Sequence, residues 1–416
     1  MAQSTVNRYR PPRHAQQPPR HIFSARSGRR GPGRHRRLKR VVLAVFAVAF
    51  IWLAFSLGGA LLNPALGSSM GSRFAEWARG HGASSIVNWV ENEWYSHHPP
   101  PVGGTLPPGA IRTPSASQPT NSTSAAYLPT PKPIVPFASP AIPGEGDWSP
   151  VGRRVDGVPA IYETTLRPDA IHTSYVVGVA WMDTKLLRAT LYSGSSIPGG
   201  GPFPNSAPVK NSAARTLVAA FNAGFLMANA NGGYYTAGKT EIPLRRGAAS
   251  FVVYRNGSSN IVSWGNDVTP NHTIVSVRQN LDLLVNNGRP VAGLEANDTT
   301  KWGFTLGNAG YVWRSGIGIT ANGALVYVGG PGLNITDLAN LLVRAGAVRA
   351  MELDINTDWV NFSAYHPSTS GGLAAPSNGR ELLPAMTGTP ARYFETWWAR
   401  DFITMSAVVK PTSSKG

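Results

Sequence analysis

Glu352, Asp354, Asn356 and Asp358 stand at alternate positions in MELDINTDW, residues 351–359. Leu353, Ile355, Thr357 and Trp359 fill the positions between them. In an extended chain, side chains two apart share a face. The spacing therefore predicts one polar face carrying three carboxylates. Like charges this close push at least one pKa upward, which is what general acid/base chemistry requires. The apolar run AVRAM just before them predicts a buried strand that delivers the cluster. A solvated strand face, or a loop in which Asp and Asn cap turns, is the competing reading of the same residues.

Two further segments carry candidate contacts. TLVAAFNAGF (216–225) reads as a strand running into a tight turn, where Asn222 and Gly224 bring an amide and backbone N–H groups toward a ligand. A Gly/Asn-rich loop follows to Gly247, with Lys239, Arg245 and Arg246 as bases suited to a sugar or phosphate. In WRSGIGIT (313–320), Arg314 opens a strand and can offer a phosphate or carboxylate two parallel hydrogen bonds. Each base has a plainer reading as surface charge. His366, eight residues after Asp358, could join the site or simply be exposed. The glycine clusters lack the Lys-Ser/Thr ending of a nucleotide phosphate loop. No HExxH or G-x-S-x-G occurs, which argues against a zinc hydrolase and a serine α/β-hydrolase. With no cysteine, disulfide scaffolds and thiol nucleophiles are excluded.

These residues need a scaffold, and the chain from Trp148 supplies one. Asn256-Gly257, Asn287-Gly288 and Asn322-Gly323 are hairpin signals between β-branched runs. SYVVGVAWM (174–182) and LLRATLY (186–192) flank a short polar link and read as successive strands of the same kind. One helix is predicted after Asn334 or Thr336, with Leu338, Leu341, Leu342 and Ala345 on one face and Gly346 ending it. The expected class is α+β: a mixed, largely antiparallel sheet with a few packed helices, spanning 148–410.

The N-terminal third differs. Of 38 Lys and Arg in the chain, 12 fall in residues 1–40, where there is no acid. The +17 formal charge is thus mostly a tail, expected to be disordered and cytoplasmic, with too few aromatics to suggest nucleic-acid binding. Residues 41–62 are uncharged and apolar, long enough for a transmembrane helix and too long for an ordinary signal h-region. The basic flank predicts a single-pass protein whose C-terminal part is extracytoplasmic. Residues 63–98 read as a juxtamembrane amphipathic segment. Residues 99–147 are a Pro-rich linker, expected to be an extended stalk preceding any catalytic residue.

FNAGF at 221–225, the basic loop to Gly247, RSGIGITANGALVYV at 314–328, the helix–strand unit at 334–354 and a closing strand near 401–409 resemble the phosphodiester glycosidase family in order and spacing. The resemblance covers roughly 175–410. It implies a hydrolase acting on sugar-1-phosphodiester bonds, with Asn222, Arg314 and Asp354 carried over by position. Glu352, Asp358, Lys239, Arg245 and Asn356 are added from their chemistry. The family follows its Asp with a run of glycines and a Ser, where this chain has Ile355-Asn356-Thr357-Asp358. The expected partners are a phosphodiester-linked envelope glycan and, through 41–62, a lipid bilayer. No cofactor is expected, although a divalent cation held by Glu352, Asp354 and Asp358 would fit hard-cation chemistry. The alternatives are a non-catalytic binding module for a phosphorylated envelope polysaccharide and a structural envelope protein.

Overall fold

The structure, a computed structural model, describes residues 33–83, 86–87, 90, 100–113, 126–296, 298, 301–303, 310–369 and 371–409. The basic tail up to residue 32, Trp89 and Trp94 of the juxtamembrane segment, and the middle of the linker lie outside the described residues. The chain forms two units, Met1–Ser56 and Leu57–Gly416.

The first unit is helical where described. The helix Gly33–Leu62 starts inside the stretch assigned to the tail, because Arg and Lys are good helix formers and extending an existing helix is easy. Its segment Arg37–Leu62 is long and apolar enough to cross a membrane.

In the second unit, Met70–Gly80 is an amphipathic helix capped by Ser69, whose hydroxyl accepts the Ser72 N–H. Three antiparallel sheets follow. The largest has the strand order Ser149–Val155, Val158–Leu166, Val177–Met182, Leu325–Leu333, Val312–Thr320, Ala347–Glu352, Leu283–Asn286 and Arg289–Pro290. Alternation along Leu325–Leu333 shows how it is used. Leu325 and Tyr327 enter one core, shared with Phe221, Phe251 and Ile403 of the other two sheets. Val326 and Val328 enter a second core on the opposite face. Burial on both faces explains why these strands are almost continuously apolar. The predicted helix, Ile335–Arg344, covers that second core with Leu338, Leu341 and Leu342, and Asn334 caps it by accepting the Asp337 N–H. A second sheet is ordered Lys239–Ile242, Tyr234–Thr236, Ile274–Gln279, Ala249–Tyr254, Ser259–Ser263. The third is ordered Gly379–Glu381, Phe362–Tyr365, Leu217–Asn222, Phe402–Ala407, Leu187–Tyr192.

The three Asn-Gly hairpins form where expected. The Val177–Met182 and Leu187–Tyr192 runs do not pair. They belong to different sheets, because Asp183 turns the chain through a corner, accepting N–H groups from Leu128 and Lys185.

The linker also departs from an extended stalk. Residues 126–147 lie against the large sheet, with Leu128, Ile134 and Ala138 buried. Leu128 and Ile134 enter the second core. Arg167 pairs with Glu145, and Arg112 with the fully buried Glu163. Proline richness stiffened this stretch without freeing it, since its scattered apolar side chains found a sheet face to cover.

Candidate functional site

The site forms where three strands end together. The large sheet pairs Gly316 with Glu352, and pairing continues two residues further: the Leu353 N–H donates to the Ser315 carbonyl, and the Ser315 N–H to the Asp354 carbonyl. Ser315 Oγ then fixes Asp354 from a second side, accepting its N–H at 3.1 Å and donating to its carbonyl at 2.9 Å. Asn222, at the end of its strand, donates Nδ2 to the same Ser315 Oγ at 3.0 Å. Its Oδ1 accepts from Tyr327 OH at 2.9 Å and from the Asn361 N–H at 3.2 Å. Asn222 thus positions the Asp354 backbone and is itself buried.

The extended run stops at Asp354. Its Oδ1 accepts the N–H groups of Ile355 and Asn356 at 2.8 and 3.0 Å. Asn356 Oδ1 in turn accepts the Asp358 N–H at 2.9 Å. These are two successive Asx turns, the competing local preference of Asp and Asn. The single polar face expected over 352–358 is therefore broken. Glu352 is 0% exposed and faces Arg314, Nη1 to Oε1 2.5 Å. Asp358 accepts from Ser68 through both its N–H and its hydroxyl. Among the described residues no three such side chains are grouped to hold a metal ion.

The electrostatics separate the carboxylates. Burial pushes Asp354 (3% exposed) up to about 6, against the pull of Arg400 and its own backbone hydrogen bonds, with Glu76 adding to the rise. Burial likewise pushes Glu352 to about 7 despite Arg314 beside it. Arg314 has no free fork for a phosphate, because its nitrogens also donate to the carbonyls of Leu333, Trp302 and Gly310. Lys239 and Arg245 are engaged away from this centre. Lys239 pairs with Glu241 at 2.6 Å, and Arg245 ties its loop to Asn231, Leu281 and Asp282. His366 Nδ1 meets the Gly152 carbonyl. Gly224 serves packing, since a Cβ there would sit 3.1 Å from the Arg278 guanidinium. Arg278 is locked to Asp401 at 2.6 Å, with both side chains fully buried.

Residues 215–354 match the family model for phosphodiester glycosidase. This stretch is similar to the phosphodiester glycosidase family. The family segment holds Asn222, Gly224, Lys239, Arg245, Arg314, Glu352 and Asp354, and ends just as the Asx turns begin. No curated protein matches the chain. Among solved structures, the zebrafish N-acetylglucosamine-1-phosphodiester alpha-N-acetylglucosaminidase catalytic domain, described as auto-inhibited by pro-peptide, is 13% identical. That match covers 64% of this chain and 88% of that one, with a TM-score of 0.36. A hypothetical protein from Synechocystis is 14% identical over 63% of this chain and 65% of its own, TM-score 0.33. A putative exported protein from Burkholderia pseudomallei is 14% identical over 56% and 74%, TM-score 0.26.

Outside the family segment lie residues that sequence reasoning did not select. Arg400 is buried, packs its guanidinium over the Trp359 ring at 4.2 Å, and has no hydrogen-bond partner at Nη1. Arg392 lies over Trp398 at 4.4 Å and donates Nη1 to the Asp358 carbonyl. The signal was present in RYFETWWARD (392–401), where two Arg and two Trp crowd one short stretch. Beside them is a cavity of about 210 Å³, lined on one side by Asp358, Trp359, Arg392, Trp397 and Trp398 and on the other by Pro64, Gly67, Ser68 and Arg73.

Proposed function

We propose that the chain is a membrane-anchored, extracytoplasmic hydrolase that cleaves sugar-1-phosphodiester bonds in envelope glycans. The observation that carries this reading is Asp354: a buried carboxyl at the end of the family segment, its backbone fixed by Ser315 and its Oδ1 by two backbone N–H groups, raised to about 6 although the charge of Arg400, which has an unpartnered Nη1, pulls it down. Water adds to the anomeric carbon as the bond from that carbon to the phosphate oxygen breaks. The products are a free sugar and a phosphomonoester. Asp354 acts as base toward the water or as nucleophile toward the carbon. Phosphate is a good leaving group, so charge stabilisation matters more than protonation. Arg400 takes the part first considered for Arg314, whose nitrogens are already engaged by Glu352 and backbone carbonyls. Glu352 tunes the local field from within the core.

The test uses the full chain in detergent micelles with a small panel of sugar-1-phosphodiesters, reading reducing sugar and phosphomonoester with and without EDTA. Release by wild type, reduced at least about a thousandfold in Asp354→Asn, is expected. No release by correctly folded wild type from any member would sink the hydrolase and favour a glycan-binding module.

A further inference from the structure

The roughly 210 Å³ cavity beside the Asx turns has a composition of its own. Trp359, Trp397 and Trp398 line it together with Thr387 and Thr389. Its charges nearly cancel, with Arg73 and Arg392 against Asp358 and Glu395. That balance disfavours an isolated anion and suits a ligand that is neutral, hydroxylated and flat-sided. Aromatic faces with a few convergent donors and acceptors are the usual furniture of small polar-ligand pockets. The volume equals that of about seven liquid waters, room for one sugar ring rather than a chain.

Two wall residues hold donors that no protein acceptor meets. Arg392 is 7% exposed and its Nε is unpartnered; Trp398 is 3% exposed and its indole Nε1 is unpartnered. Buried donors of this kind ordinarily have partners, and leaving them bare is costly. The Arg392 guanidinium is held flat between the Trp398 ring and Gly388, where an added Cβ would meet its Cζ at 1.7 Å. Glycine at 388 is what admits the guanidinium.

We propose that this cavity is a binding subsite for a neutral pyranose ring, with Trp397 supplying aromatic surface, Arg392, Asp358 and Glu395 the hydrogen bonds, and the turn Pro64–Ser68 one wall. The membrane-proximal segment is then part of the binding site and not merely a tether. This deepens the glycan-directed reading above and rests on it for the ligand class, although its test does not depend on turnover.

Full-length protein in micelles is titrated with glucose and N-acetylglucosamine by saturation-transfer NMR and calorimetry, with inorganic phosphate as the anionic probe. Expected is millimolar binding of at least one hexose and none of phosphate. Affinity should fall tenfold or more in Trp397→Ala and in Gly388→Ala, the second by displacing Arg392 without touching the aromatic surface. Circular dichroism and melting confirm that each variant folds, and either variant alone suffices if the other does not. Hexose binding that is lost in the variants supports the subsite even if no phosphodiester is hydrolysed. Absence of hexose binding in a wild type that does hydrolyse phosphodiesters overturns the subsite and leaves the hydrolase standing. Unchanged binding in a folded variant, or tighter binding of phosphate than of sugar, also overturns it.

Discussion

At the scale of single residues, the raised carboxylates make the chain sensitive to pH in a defined sense. Asp354 and Glu352 have folded pKa values of about 6 and 7, above their ordinary 3.8 and 4.5. A carboxyl raised on folding favours the native state most when protonated. Its contribution is complete below the unfolded value and is lost as pH climbs through the folded one. For Asp354 the change between those limits is on the order of 3 kcal/mol. Wild type should lose stability between about pH 4 and 6 relative to Asp354→Asn and change little above that, measured by urea unfolding across that range. Hydrolysis, which needs Asp354 ionised, should run the other way, with kcat/KM rising through a pKa near 6. A flat profile there would remove Asp354 from the chemistry. The Arg278–Asp401 pair is a different case. Both side chains are fully buried, so Asp401→Asn leaves a guanidinium without its counter-charge and should cost about 3–5 kcal/mol, read as a lower urea midpoint.

At the scale of elements, much was legible in advance. The Asn-Gly turns and the Asn334-capped helix follow from local chemistry acting over a few residues, and they formed as read. Asn334→Ala should cost about 1 kcal/mol, because the Asp337 N–H at the helix start loses its acceptor, and a thermal melt will show it. Asp354 was picked out by a similar local argument: a carboxylate emerging from an apolar strand must meet something polar. What failed was the assumption that the strand continues. Asp354 and Asn356 bond to the backbone just ahead of them, and two Asx turns outweigh the period-two pattern. Arg314 and Asn222 were picked out by position, but their partners, Glu352 in one case and Ser315 with Tyr327 in the other, depend on strand pairing across the fold. Arg392 and Arg400 escaped notice because a buried Arg is recognisable only once its Trp neighbours are known to face it.

At the scale of the whole molecule, pairing among distant strands determines what residue patterns leave open. The third sheet joins Leu187–Tyr192, Leu217–Asn222, Phe362–Tyr365 and Phe402–Ala407, so it closes only when the C-terminal strand arrives. The linker behaves likewise. The Ile134 N–H donates to the Gly146 carbonyl and the Leu128 N–H to Asp183. Amides in 126–147 should therefore exchange with deuterium slowly, like those of the strands beneath them; exchange at the rate of an unstructured peptide would return this stretch to a stalk.

The same packing has a practical consequence for anyone producing the soluble part alone. A fragment cut at Trp148, where composition changes, strips Leu128 and Ile134 from the apolar face they cover and leaves the buried Glu163 without Arg112. A fragment trimmed to 215–354 fares worse, because Leu217–Asn222 loses both neighbouring strands and presents two bare apolar edges. Both should precipitate or associate in the test tube. Starting before Gly103 should give a monodisperse preparation.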